Sequence, residues 1–186
     1  MKIFIGCSAS NNLDEKYYDV AQELASSLSL SGHDLIYGSG DNGMMGIFYR
    51  TFKENNRKVT SVVPKIFEKS TVNLDLDRIV KVDTTDQEIS YLAKNGDMSI
   101  ILPGGYGAIA EMVMCIYTRK AGEHSKPLVI LNAYGFYDDL ISMFEKSVEE
   151  RFSNRLDGLD IYIVSTVDEV LDIVEQLQLK DDVKNV

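Results

Sequence analysis

Two glycine-rich turns and two glutamates carry most of the chemistry that this 186-residue sequence offers. The first turn, Tyr37-Gly38-Ser39-Gly40-Asp41-Asn42-Gly43-Met44-Met45-Gly46, follows a strand-like run and leads into a helical one. The second, Leu102-Pro103-Gly104-Gly105-Tyr106-Gly107-Ala108-Ile109-Ala110-Glu111, does the same. Glycine removes the Cβ atoms that block close approach, so backbone amides at a helix N-terminus can converge on a phosphate with the helix dipole behind them. That makes Gly38, Ser39, Gly40 and Gly43, with Gly104, Gly105, Gly107 and Ala108, the candidate phosphate cradle. Gly38, Gly40 and Gly43 fit the Gly-x-Gly-x-x-Gly spacing, and no Gly-Lys-Ser/Thr follows to make a Walker loop. Glu111 falls in the first turns of the helix after the second loop. A carboxylate beside a phosphate pocket can stabilise a ribosyl oxocarbenium ion or attack the anomeric carbon, and its structural alternative is a dipole-stabilising acid. Two further corners, Gly6-Cys7-Ser8 and Pro64-Lys65, add Ser8 and the cation Lys65 as substrate contacts.

The remaining candidates read more plainly. Thr85-x-x-Glu88 and Thr166-x-x-Glu169 have the spacing of capping boxes, in which a Thr and a Glu satisfy orphan amides reciprocally. His33 and His124 are isolated and match no metal-ligand spacing, and nothing in the sequence calls for a metal or cofactor. Ser8 has no His and Asp in a triad order, and Cys7 reads as a buried strand-end thiol. Tyr134, Phe136 and Tyr137 can stack on a base, but packing against the following helix is the favoured reading.

These residues need a scaffold, and its elements alternate along the chain. Strand-like runs fall at Lys2–Gly6, Asp34–Tyr37, Lys58–Val63, Arg78–Val82, Met98–Leu102, Leu128–Asn132 and Ile161–Val164. Between them lie helical patterns such as Asp14–Leu30, with Tyr17, Val20, Ala21, Leu24 and Leu28 on one stripe. Runs as apolar as Ser99-Ile100-Ile101-Leu102 suit a parallel sheet covered on both faces. The expected fold is α/β, Rossmann-like and doubly wound, in a single domain over residues 1–180, with a frayed tail over 181–186 and an irregular loop or short helix over Pro64–Asp77. In such sheets ligands bind outside the carboxyl ends of the strands, where both glycine turns fall.

Composition narrows the partners. With 19 Lys+Arg against 29 Asp+Glu the formal charge is −10, which disfavours nucleic acid polymers and anionic membrane surfaces. Any phosphate must be held locally. Two distant cysteines form no disulfide framework, and the opening residues lack a secretory pattern, so a cytoplasmic setting is expected.

The motifs together resemble a family. Tyr37-Gly-Ser-Gly-x-x-Gly-Met-Met-Gly46 is similar to its YGGGxxGLMG turn, Val63-Pro-Lys65 to its IPK segment, and Pro103-Gly-Gly-Tyr-Gly-Ala-Ile-Ala-Glu111 to its PGGxGTxxE motif. The likeness continues through Lys126–Asn132, Gly135–Tyr137 and Val148–Phe152. This family is the LONELY GUY type, cytokinin nucleoside 5′-monophosphate phosphoribohydrolases, long labelled lysine decarboxylase-like. The resemblance implies an N-glycosidase that releases free base and ribose 5-phosphate, a nucleoside monophosphate as ligand, a homodimer, and Glu111 as catalytic carboxylate. Two positions depart from the pattern: Ala108 stands where the motif has Thr, and the family's Arg-Lys pair falls on Glu88-Ile89. The acid at 88 leaves three readings open. Glu88 serves as a second catalytic carboxylate, or the chain senses nucleotides without cleaving them, or it moves deoxyribose between bases. Arg119-Lys120 are expected to be solvated or at a dimer interface.

Overall fold

The computed structural model describes residues 1–156 and 158–184. Among them, strands and helices follow in the order β1 (Lys2–Gly6), α1 (Glu15–Leu30), β2 (Asp34–Tyr37), α2 (Gly43–Glu54), β3 (Val59–Pro64), β4 (Arg78–Val82), α3 (Thr85–Asn95), β5 (Met98–Ile101), α4 (Tyr106–Lys120), β6 (Leu128–Leu131), α5 (Asp138–Glu149), β7 (Ile161–Val164) and α6 (Val167–Lys184). Each expected strand is present to within a residue at either end. The expected irregular stretch holds a 3-10 segment over Lys65–Thr71. For the expected tail, α6 continues to Lys184, and residues 185 and 186 lie outside the described residues.

All seven strands join one parallel sheet in the order β4-β3-β2-β1-β5-β6-β7. The chain winds outward from β1 to β4, returns to the other side of β1 as β5, and winds outward again. Successive residues of a strand face opposite sides, so β1 feeds two cores. Ile3 and Ile5 join Leu24, Leu28, Phe48, Phe52 and Val170 under α1, α2 and α6. Phe4 joins Ile36, Val62, Leu92, Met112 and Ile130 under α3, α4 and α5. Full burial of each large apolar side chain contributes about 1.5–3 kcal/mol, which is the main reason the helices settle on the sheet.

Local signals set the helix ends. Asp14 caps α1 by accepting the amide of Lys16 at 3.2 Å. The expected box before α6 forms: the Thr166 and Ser165 amides donate to Glu169 Oε2, and the Glu169 amide donates to Thr166 Oγ1. The other expected box does not form. Thr84 is the N-cap residue of α3, the Glu88 amide donates to the Thr84 carbonyl, and the Glu88 carboxylate lies elsewhere.

Candidate functional site

The winding reverses between β1 and β5, and at such a switch point the strand ends part to leave a crevice. The segment after β5 is the second glycine turn. Gly104 packs so tightly on the first turn of α4 that a Cβ there would stand 2.5 Å from Ala108 Cβ. Ala108, in the place of the motif's Thr, is buried in this contact. The turn is braced from behind by Tyr137, whose hydroxyl donates to the Leu102 carbonyl at 2.8 Å. Asn132 in turn accepts the Tyr137 amide at 2.7 Å and donates to Asp138 at 2.7 Å. Tyr137 is buried, so packing is its role, while Tyr134 and Phe136 are largely exposed and meet Tyr17 edge to face.

Helix α4 begins with no side-chain cap, at Gly105. The first amides of a helix have no partner within it. A Cβ on Gly105 or Gly107 would meet nothing within 4 Å, so this helix start opens outward and an anion can approach its amides.

The first glycine turn is differently employed. The Gly43 amide donates to Asn11 Oδ1 at 2.8 Å, and the Met44 and Met45 amides donate to the Ser8 carbonyl at 3.0 and 3.4 Å. The start of α2 thus anchors the loop between β1 and α1, which takes up the Gly43 amide and the two that follow it. Gly43 has φ of 55° and lies against Ser10, a left-handed and crowded position that favours glycine. Gly40 accepts the Tyr37 hydroxyl at its carbonyl, Ser39 bonds Ser70 through their hydroxyls, and Gly38 accepts the Ser61 hydroxyl at its carbonyl. Ser8 is half-buried and its hydroxyl accepts the Ser10 amide at 3.1 Å. Lys65 stands exposed where β3 gives way to the 3-10 segment.

The two acids converge from neighbouring helices. Glu111 on α4 reaches over Gly6 at the end of β1, and Glu88 on α3 reaches over Gly38 just past β2. Both are half-buried. Burial raises the Glu88 carboxyl to about 7. Burial, and after it the charge of Glu88, raises Glu111 to about 8. The neighbouring thiol of Cys7 is pushed up by burial and then by Glu111, which leaves it a protonated core group.

Arg119 differs from expectation. It is buried, donates to the Leu159 carbonyl and pairs with Asp160 at 2.8 Å. Its guanidinium ties the end of α4 to the approach of β7. Among the described residues no group of His, Cys, Asp and Glu is arranged to hold a metal ion. His33 is buried, and His124 bonds Thr118 at 2.9 Å. Sequence reasoning missed Asn11, and it named Gly6 only as part of a corner, not as the seat of Glu111. Gly6 had a signal, since alternation puts it on the same sheet face as Phe4.

Residues 45–181 match the family model described as "Possible lysine decarboxylase". Across 182 residues the chain is 30% identical to cytokinin riboside 5′-monophosphate phosphoribohydrolase LOG2 of Arabidopsis thaliana, covering 97% of this chain and 85% of that protein. The chain belongs to the LOG family. Another Arabidopsis thaliana member, LOG1, is 35% identical over 151 residues, which cover 81% of this chain and 70% of the relative. The LOG fold is also seen in solved structures. The X-ray structure of TM1055, a structural genomics target, superposes with a TM-score of 0.72 at 23% identity, over 94% of this chain and 98% of that one. The molybdenum cofactor carrier protein of Chlamydomonas reinhardtii superposes at 0.70 and 19% identity, over 96% and 98%.

Proposed function

We propose that this LOG-family chain hydrolyses the N-glycosidic bond of a nucleoside 5′-monophosphate, releasing free base and ribose 5-phosphate. The observation that carries the reading is Glu111, on the helix whose open N-terminus is suited to a phosphate, meeting Glu88 of α3 over the adjoining ends of β1 and β2, beside the β1–β5 switch point. The 5′-phosphate sits on the α4 amides beside Gly104, Gly105, Gly107 and Ala108, with Gly38, Ser39, Gly40, Ser8 and Lys65 lining the rest of the crevice. Glu111 faces the anomeric carbon; the positive charge developing on the ribosyl centre favours its ionised form, so its charge is worth most in the transition state. Glu88 is the second catalytic carboxylate, and water is the nucleophile. Incubation with a panel of nucleoside monophosphates, followed by chromatography of free base, tests the reading. Release of base supports it, and tight binding without release contradicts it.

The protein acts as a homodimer in this reading. Tyr106, Val113 and Tyr117 line one face of α4 and are 95%, 43% and 65% exposed, an apolar stripe suited to a second copy. Val113→Lys with Tyr117→Lys halves the mass seen by sedimentation. No described helix is long and apolar enough to cross a membrane. Two free, buried cysteines support the reducing environment of the cytoplasm.

A further inference from the structure

The face that β1 and β2 turn toward α3 and α4 carries Phe4 and Ile36, which are registered partners. Two residues further along, the same face reaches Gly6 and Gly38, where the core row ends. Adjacent strands lie about 4.8 Å apart, so these glycines leave two neighbouring slots. A Cβ on Gly6 would stand 2.5 Å from Oε2 of Glu111 and 2.5 Å from Ile101 Cδ1. A Cβ on Gly38 would stand 2.8 Å from Oε1 of Glu88 and 3.4 Å from Met45 Cε. Each slot is therefore filled by a carboxylate from the helix above and walled by an apolar side chain. Neither glycine has positive φ, so backbone conformation does not explain glycine at either place. Room for the carboxylates does.

We propose that Glu111 and Glu88 form one proton-sharing acid pair, seated over Gly6 and Gly38, in which the charged member faces the ribosyl centre and the neutral member protonates the departing base. The proposal rests on the glycosidase reading and adds to it the source of the proton. The C1′–N bond breaks, its electron pair passes to the base nitrogen, and that nitrogen takes the proton of the neutral carboxyl. Water then adds to C1′ and gives a proton to the carboxylate that donated one. The pair again holds a single proton, and monophosphate plus water has become base plus ribose 5-phosphate. Gly6 and Gly38 are positioning residues.

The surroundings suit such a pair. Among the described residues no Lys, Arg or His contributes to the raised proton affinity of either acid, and neither acid forms an ion pair. The titratable groups packed around Glu111 are Cys7 at the end of β1, Cys115 on the same helix and Tyr137 ahead of α5. Burial raises all three, so they stay neutral near pH 7. Two carboxyls seated over neighbouring strand ends, one of which feels the other's charge, lose their protons in coupled steps that belong to the pair. An arginine at position 88, as the family pattern has it, removes that coupling.

Carbon-13 NMR titration of protein labelled at glutamate side-chain carboxyls tests the pair without substrate. Two carboxyls, assigned through Glu88→Gln and Glu111→Gln, are expected to titrate above the ordinary value of about 4.3. In Glu88→Gln the Glu111 midpoint falls by about one pH unit or more, because a like charge has gone. In Gly38→Ala the Glu88 midpoint falls toward the ordinary range, kcat drops about tenfold with little change in KM, and the alkaline limb of the pH profile moves. A Glu111 midpoint unmoved in Glu88→Gln overturns the pair, whether or not base is released. A folded Gly38→Ala with both midpoints and turnover of the unaltered protein overturns the seating; if that variant fails to fold, the Glu88→Gln midpoint decides. Coupled midpoints in a protein that releases no base from any monophosphate overturn the glycosidase reading, and the proton transfer with it.

Discussion

Replacing Glu111 by Gln is expected to stabilise the protein, and to do so more as pH rises. Folding lifts this carboxyl from 4.5 to about 8, so the folded chain keeps a proton that the unfolded chain has already lost across that interval. The folded state binds more protons there, and stability falls as pH rises from about 4.5 to 8. At about 1.36 kcal/mol per pH unit the interval of 3.5 sets a ceiling near 5 kcal/mol. Glu111 is half-buried and reachable by water, which brings the expected gain down to roughly 1–3 kcal/mol at pH 9. For a chain of this size that is a rise in Tm of a few to about 10 °C. Below pH 4.5 both states hold the proton, glutamine mimics the neutral acid, and the gain vanishes. Urea unfolding of both proteins at pH 4.5, 7 and 9 measures it. A variant less stable at pH 9, or a gain that is the same at every pH, refutes the burial of an unpaired charge at this position.

Gly105→Val leaves the fold intact, since a Cβ there meets nothing within 4 Å, but its branched side chain covers the α4 amides. Thermal shifts should show nucleoside monophosphates stabilising the unaltered protein and losing most of that effect in the variant, while the matching nucleosides do little in either. Thr166→Ala removes a formed capping contact of α6, which packs on the sheet face opposite Glu88 and Glu111. It should cost about 0.5–2 kcal/mol in urea unfolding with base release unchanged.

Much of the scaffold was legible because apolar runs that meet glycine or proline mark the buried parallel strands β1, β2, β3, β5 and β6, while the edge strands β4 and β7, with no buried residue, were legible from their β-branched content. The Leu102–Glu111 turn was legible for the same reason, its glycines clustering where a strand meets a helix. Of the two readings of Glu88, the cap fails because the capping-box rule looks only three residues back, to Thr85. Its spacing from Leu92, one turn on and buried in the core, points the same side chain inward. Arg119 follows the inward stripe of Met112 and Cys115, which outweighs the exposed reading of a last-turn cation. The use of the Gly43 amide was not legible at all. Its acceptor, Asn11, lies 32 residues away, and no local rule carries a pairing over that distance.

In the proposed reaction this site cleaves the glycosidic bond with Glu111 at the anomeric centre. The most direct measurement follows free base and ribose 5-phosphate released from one purine nucleoside 5′-monophosphate by the unaltered protein and by Glu111→Gln. Equal amounts of the two products are expected, with turnover falling roughly a hundredfold or more in the variant while nucleotide binding is kept. Turnover unchanged by Glu111→Gln, or base released without ribose 5-phosphate, contradicts this role of Glu111.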